Sequence, residues 1–397
     1  MKQVLDGVRV LDCTRIVAGP HCTFLLATMG AEVIHIEKPG GEMDWDIGAP
    51  FAETDGCACH PLYTNCNKKG ITLDLRNEKG QTIFAELVEK SDVVVQNYSY
   101  GGAKKLKLTY DDLQKINPSI IVAALSGFGQ TGPYHERNCW DPIAQAMSGM
   151  MSLGGFPENP PTRNPLPIID FSTGIYGALG IMYALRHRDR TGEGQLVDVA
   201  LFDVAISFIG ITAMEMKNAG QQRTQVGNAT YWALANTFKA KDGWVFISLT
   251  TNPIWKRFCK LIQEEQLLTD ERYIDDYNRF VHRENLISII DQWTSSRTIA
   301  EIVAITGENH IPCSPVNDVR TAMADPQVLA REMLVNIDYG KDLGTIPVPG
   351  LPVKLSKTRG RLDRPAPGPG QDNREVYSKI LGYDSDMLDT LRKEEII

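Results

Sequence analysis

The chain has 397 residues, of which 43% are hydrophobic and 23% charged, the balance of a globular protein long enough for two domains. Its formal net charge is −8 with both signs mixed along the sequence, so the basic surplus of a nucleic-acid-coating protein is missing and no nucleic-acid partner is expected. The opening Met1-Lys2-Gln3-Val4-Leu5-Asp6-Gly7 lacks a signal-peptide core, and the richest apolar run, residues 175–185, falls short of the ~20 residues of a membrane span and reads as a buried helix.

Residues 8–12 read as a first strand, 14–20 as a loop, 22–29 as an apolar helix and 32–37 as a second strand. This order implies a parallel pair with a right-handed crossover. A third strand is expected at 71–75, followed by a helix that Asn77 can cap and in which Ile83, Phe84, Leu87 and Val88 recur at helical spacing. Residues 92–95 and 120–125 are further buried strands, and the glycine-rich stretch 126–133 leads to helical runs at 141–151 and 172–187. The turn Gly192-Glu193-Gly194 introduces a strand at 196–202. Residues 1–205 therefore read as an α/β, Rossmann-like open parallel sheet with helices on both faces.

Beyond residue 205 the texture changes. Strand-like runs flank the turn Lys241-Asp242-Gly243, and residues 255–305 are amphipathic and helical, which marks 225–325 as a smaller α+β domain. Residues 335–356 read as extended, Ala366-Pro367-Gly368-Pro369-Gly370 as a turn-rich linker, and the tail from Asp372 as short helices.

Several familiar constellations are missing. The loop Val17-Ala18-Gly19-Pro20 has no Gly-x-Gly-x-x-Gly run for a dinucleotide, and no Gly-x-Ser-x-Gly elbow occurs. Cys57-Ala58-Cys59-His60 with Cys66 does not have the paired spacing of a zinc site, so no metal is expected and the eight cysteines read as reduced thiols of a cytoplasmic protein. Asp170 stands between the proline-bounded run Pro165-Leu166-Pro167-Ile168-Ile169 and a long helix. A helix start favours the ionised carboxylate, which suits a nucleophile toward a thioester carbonyl and equally suits a plain helix cap. Ser126-Gly127-Phe128-Gly129-Gln130-Thr131-Gly132-Pro133 follows a strand, where its N–H groups can serve an oxyanion or merely shape a turn. Arg15, Lys38, Arg76, Lys104 and Lys105 recur near strand ends; converging, they suit a phosphate-rich ligand, and singly they are solvated charges.

Taken together these motifs carry a resemblance. Leu5-Asp6-Gly7-Val8-Arg9-Val10-Leu11-Asp12 with Ala18-Gly19-Pro20, Gly30-Ala31-Glu32-Val33-Ile34-His35-Ile36-Glu37-Lys38, Asn67-Lys68-Lys69 with Leu73-Asp74-Leu75-Arg76, Ser126-Gly127-Phe128-Gly129-Gln130 and Thr191-Gly192-Glu193-Gly194-Gln195 stand in the order of one family. The chain resembles the class III coenzyme A transferases, the group of formyl-CoA and carnitine CoA-transferases. The resemblance implies an interlocked homodimer, with residues 330–397 returning to the large domain. It places the catalytic aspartate on Asp170 and CoA contacts on Val17, Ala18, Lys38, Leu73, Asp74, Leu75, Arg76, Asn97, Tyr98, Ser99, Lys105, Arg137, Trp140 and Asp141. It also implies acyl-CoA and a free carboxylic acid as substrates, with no tightly bound cofactor and no membrane partner.

Three departures refine that expectation. Gln96-Asn97-Tyr98-Ser99-Tyr100-Gly101 replaces the family's Glu-Asn-Phe-Arg-Pro-Gly, leaving Lys104 or Lys105 to supply the basic contact. Val17 stands where formyl-CoA transferases have glutamine, and their glycine-rich loop in the small domain has no counterpart, which points away from oxalate and formate. The α-methylacyl-CoA racemases share the fold and use a histidine where this chain has Trp140, with His135 five residues earlier. Transfer is therefore expected over racemisation, with a non-catalytic CoA-binding protein as the remaining alternative. The acyl group stays open: Trp140, Tyr231 and Trp232 suit an acyl pocket or a core alike.

Overall fold

A computed structural model of the protein describes residues 2–42, 59–340 and 343–397. Six strands, β1 (Arg9–Cys13), β2 (Glu32–Glu37), β3 (Lys69–Thr72), β4 (Val93–Gln96), β5 (Ile121–Ser126) and β6 (Leu196–Ala200), form one parallel sheet in the order β3-β2-β1-β4-β5-β6. Alternate side chains supply separate cores on the two faces: Leu11, Ile34, Ile71, Val94 and Val122 on one, Val10, Val33, Val93, Ala123 and Leu125 on the other. Both faces being covered is why these strands read as near-continuous apolar runs. The strand order reverses between β1 and β4, so the loops after these two strands lie side by side at the place where open α/β sheets bind ligands.

β3 is an edge strand and begins two residues before the expected 71–75. Its open side is closed by side chains from the far end of the sequence. Gly70 N donates to Asp372 Oδ2 at 2.8 Å, Thr72 N to Asn373 Oδ1 at 2.9 Å, and Tyr377 Oη to Thr72 O at 2.7 Å. Paired backbone leaves no free template for another chain.

The chain divides into two compact units, one of residues 1–149, 164–213 and 327–397, the other of 150–163 and 214–326. The second is built on an antiparallel sheet of β7 (Ala235–Ala240), β8 (Gly243–Ser248) and β9 (Cys313–Pro315), with Phe238, Val245, Trp255, Phe258 and Ile302 in its core. Residues 150–163 group with this unit, whereas the sequence reading runs the first domain unbroken to residue 205. Gln225 Nε2 donates to Gly154 O at 2.7 Å and Gly227 N to Gly155 O at 2.9 Å, pairings between distant segments that no local pattern announces.

The first unit includes the helices α1 (Ala18–Thr28), α2 (Asp141–Met147) and α3 (Ile168–Thr191). α1 and α3 touch almost backbone to backbone. A Cβ on Gly174 would lie 2.7 Å from Ala18 O, and one on Gly177 would lie 3.1 Å from Cys22 Sγ. The α1 N-terminus is thereby set beside the first turns of α3. α3 has 24 residues, enough in length and composition to cross a bilayer, yet Ile169, Thr173, Ala178, Ile181 and Leu185 are buried as in a core helix. The opposite side departs from the expected buried helix: Ile175, Tyr176, Leu179 and Tyr183 are exposed.

Below the β1–α1 loop lies a fully buried charge cluster. Lys68 Nζ donates to Asp12 Oδ2 at 2.8 Å, to Asn65 Oδ1 at 2.7 Å and to Pro20 O at 3.0 Å. Asp12 also accepts from Thr23 Oγ1 at 2.7 Å and Thr14 N at 3.1 Å, with His35 Nδ1 at 3.1 Å. Burial alone would raise the Asp12 pKa, but Lys68 and His35 overcome it and hold the carboxyl well below its ordinary range. A buried ion pair is strongly destabilising when one partner is removed, because the other is left uncompensated. Lys68→Met should therefore lower the unfolding free energy at neutral pH by about 3–5 kcal/mol in urea denaturation. Because the native Asp12 value is depressed, its contribution is complete above the ordinary value of 3.8 and is lost as pH falls toward the native one. The gap between wild type and variant should narrow in acid.

Candidate active site

The loop from β1 into α1 has an unusual backbone. Ile16 adopts φ +71°, a left-handed conformation that a β-branched residue rarely takes. Asn97, at the end of β4, holds the residue before it from both sides: Arg15 N donates to Asn97 Oδ1 at 2.9 Å, and Asn97 Nδ2 donates to Arg15 O at 2.7 Å. α1 then starts at Ala18 with no side chain capping it. Among the described residues no side chain accepts from its first N–H groups, which carry the positive end of the helix dipole.

These residues wall a cavity of about 340 Å³ that also receives Asp170. The sequence reading starts the long helix at residue 172; it starts at Ile168, which puts Asp170 inside the first turn. The early start has a cause outside the helix. Asp141, at the beginning of α2, accepts from Ile169 N at 2.7 Å and Asp170 N at 3.3 Å, so the capping that a sequence assigns to Asp170 is done by Asp141. Gln145 holds the cap in place, donating to Asp141 Oδ1 at 2.6 Å and accepting from Asn164 N at 2.8 Å. Asp170 is left with its own carboxylate for other work.

Burial, followed by the nearby Asp141 carboxylate, raises the Asp170 pKa to about 7. This outcome differs from the expected helix-start effect: desolvation and a like charge outweigh the dipole. Cys139 lines the same cavity, where burial and Asp170 push its thiol up to about 11. At neutral pH the carboxylate, not the thiol, is the competent nucleophile of the pair.

Of the residues anticipated from sequence, Val17, Ala18, Asn97, Tyr98, Ser99, Arg137 and Trp140 share this cavity with Asp170. Lys38, Leu73, Asp74, Leu75 and Arg76 line a smaller hollow of about 50 Å³, and Arg15 and Tyr98 belong to both. Lys105 lies in the last turn of the short helix Tyr100–Lys105 and lines neither space. Asp141 also lines neither; it is 3% exposed, beneath the nucleophile rather than facing a ligand. The glycine-rich loop contributes Gly127, but Gly129 N donates to Ser126 Oγ and Gln130 N to Asp198 Oδ2, so these two are not oxyanion donors. Ile16, Asn138, Cys139 and Leu201 line the cavity without having been singled out. The adjacency of Cys139 to Trp140 was the sequence signal available for the thiol.

Neither His135 nor any other described histidine lines the cavity. The His135 ring sits against Tyr100, with Nδ1 2.8 Å from Gly132 O. Cys57 lies outside the described residues, Cys59 is exposed, and Cys66 is buried with its thiol donating to Leu62 O at 3.1 Å.

A carboxylate, a helix N-terminus and an adjoining hollow with cations suit acyl transfer from a phosphorylated carrier, and residues 5–373 match CoA-transferase family III. The chain belongs to that family. It is a CoA-transferase. It is 34% identical to a succinyl-CoA–L-malate CoA-transferase beta subunit of Chloroflexus aurantiacus, over 99% of this chain and 98% of that protein. It is 33% identical to a succinate–glutarate CoA-transferase of Agrobacterium fabrum, over 96% of each. Among solved structures, a CAIB/BAIF family protein from Brucella suis superposes with a TM-score of 0.85 at 32% identity, over 96% of this chain and 100% of that one.

The geometry makes Asp141 the lever on Asp170. Asp141→Asn keeps an acceptor for the helix N–H groups and removes the like charge, so the midpoint of the pH–kcat/KM profile should move below 7. Asp141→Ala also removes the cap and should lower stability by about 1 kcal/mol in denaturant titration.

Proposed function

We propose that this CoA-transferase moves coenzyme A from an acyl-CoA thioester to a free dicarboxylic acid, with Asp170 as its nucleophile. The observation that carries the reading is the Asp170 carboxylate opening into a cavity shared with the uncapped α1 N-terminus, next to a hollow lined by Lys38 and Arg76. The dicarboxylic class is supported by relatives named for succinyl-CoA, malate and glutarate at 33–34% identity.

The chemistry follows from those groups. The Asp170 carboxylate attacks the acyl-CoA carbonyl; the C–S bond breaks, giving a mixed anhydride and CoA thiolate. The thiolate attacks the aspartyl carbonyl and expels the donor acid, leaving an aspartyl-CoA thioester. The acceptor carboxylate attacks this thioester, releasing thiolate and forming a second anhydride. Thiolate attack on the acceptor's carbonyl then yields the new acyl-CoA and returns Asp170 as a carboxylate. No ATP is needed, since the thioester bond energy is passed on rather than released. Val17 and Ala18 line the cavity at the start of α1, and their backbone N–H groups would receive the oxyanion of the tetrahedral steps. Coenzyme A is a substrate here, and no tightly bound cofactor takes part.

We further propose that two copies associate, as the family resemblance implies. The exposed apolar row Ile175, Tyr176, Leu179 and Tyr183 on α3 supports a partner of the same kind.

Incubation with succinyl-CoA and hydroxylamine should leave a hydroxamate on Asp170, detectable by peptide mass spectrometry. Asp170→Ala should lose transfer by on the order of 10⁴-fold or more; near-normal activity in that variant would sink the proposal. Because Asp170 is protonated below its raised value of about 7, kcat/KM for acyl-CoA should climb through neutral pH and level off above it. A racemase would instead exchange α-protons for deuterium with no acceptor acid present, and a CoA-binding protein without catalysis would turn over no acid at all.

A further inference from the structure

We infer that Arg15 selects the acid substrate by gripping the carboxylate that does not react. This rests on the transfer reading above and adds to it a residue that reads the far end of the acid. Arg15 lines both the Asp170 cavity and the adjoining hollow, so it stands where the two meet. Its guanidinium carbon lies 4.4 Å from the centre of the Tyr98 ring, a cation–π contact that helps hold the group in place. Among the described residues the one carboxylate within ion-pair reach is Glu42, whose Oε2 is 3.6 Å away, too far for a hydrogen bond. The guanidinium is therefore held against an aromatic ring, with one long ion pair among the described residues.

Its backbone is held with unusual care. Asn97 satisfies both the N–H and the C=O of Arg15, and Ile16 directly after it stays in a left-handed conformation. Backbone held in a sparsely populated region persists where surrounding contacts over-determine it, and such places gather at ligand clamps. Arg137, the other arginine of the cavity, contrasts with this. It is exposed and rests on Tyr134 and Phe128 at 4.7 and 5.9 Å, which suits a diffuse anion at the mouth better than discrimination between acids.

Charge decides which end of the acid Arg15 holds. A free acid entering when Asp170 is an aspartyl-CoA thioester still meets the negative charge of Asp141, and a fixed cation offsets it. The reacting carboxylate has to keep a lone pair for attack on the aspartyl carbonyl, and a bidentate arginine would blunt it. The second carboxylate of a dicarboxylic acid has no such duty and fits the fork. An acid with a methyl group in that place would displace water from the guanidinium without pairing with it, which is how polar sites reject apolar analogues.

The test compares glutarate with pentanoate, equal in chain length, as acceptors from saturating succinyl-CoA, in wild type, Arg15→Gln and Arg15→Lys. Calorimetric titration with coenzyme A runs alongside. Wild type should prefer glutarate, and the kcat/KM preference should fall at least tenfold in Arg15→Gln, mainly through KM, with partial recovery in Arg15→Lys. The Kd for coenzyme A should stay within about twofold. An unchanged preference overturns the inference, as does no preference in wild type. A loss of coenzyme A affinity that matches the loss of glutarate also overturns it, and would assign Arg15 to the carrier's phosphates. Absence of an Asp170 hydroxamate in wild type would defeat the transfer reading itself, whereas a hydroxamate with unaltered preference would defeat the role of Arg15 alone.

Discussion

Everything at the site hangs from the ion pair of Asp12 and Lys68, sealed below the sheet's C-terminal edge. Lys68 precedes β3, Asp12 belongs to β1, His35 to β2, and Pro20 and Thr23 to α1, so one buried cluster ties three strands and a helix together. Taking both charges from water is costly, and their attraction offsets this only with good geometry and filled hydrogen-bond capacity. Here Asp12 receives at least four donors, counting His35, and Lys68 has three acceptors. The consequence is directional: the chain between Cys13 and Ala18 has fixed ends and little choice of path. The left-handed Ile16 and the uncapped helix start are what that short path leaves at the ligand-binding face.

A second constraint sets α3 against this loop. Gly174 lets the helices approach to a distance that a methyl group would forbid, Gly177 to one that it would crowd, and Asp141 allows α3 to begin early enough to include Asp170 in its first turn. Neither device is catalytic in itself. One brings Asp170 and the α1 N-terminus to the same cavity; the other frees Asp170 from capping.

Much of the fold was legible because it rests on local signals. The strands at 32–37 and 120–125, the Asn77 cap and the Lys241-Asp242 turn are visible in apolar runs and turn residues, and the structure has them within a residue. Errors arose where distant residues decide. β3 starts at Lys69-Gly70, which look like loop until Asp372 and the Glu32 carboxylate are brought up to them. The α3 start depends on Asp141, 29 residues before Asp170, a contact no periodicity reveals. The site was half legible: Asp170 and the loop motif are recognisable as residues, but that Asp141 lies beneath Asp170, and that Asn97 clamps backbone, are facts of three dimensions. Arg15 was visible as one cation among several near strand ends, with nothing in its neighbours to single it out.

The raised pKa of Asp170 bears on the direction of the chemistry. On the proposed route the first anhydride joins two acyl groups, and the thiolate can attack either carbonyl. Attack on the donor carbonyl expels Asp170 and undoes the step; attack on the aspartyl carbonyl expels the donor acid and advances it. A carboxylate with a pKa near 7 is a poorer leaving group than an ordinary carboxylic acid at about 4. On the proposed route this difference would favour forward partitioning of the anhydride. The same basicity makes Asp170 the stronger nucleophile whenever it is ionised. Asp141, buried beneath Asp170, thus both caps the start of the helix that carries Asp170 and helps raise the pKa on which the proposed route draws.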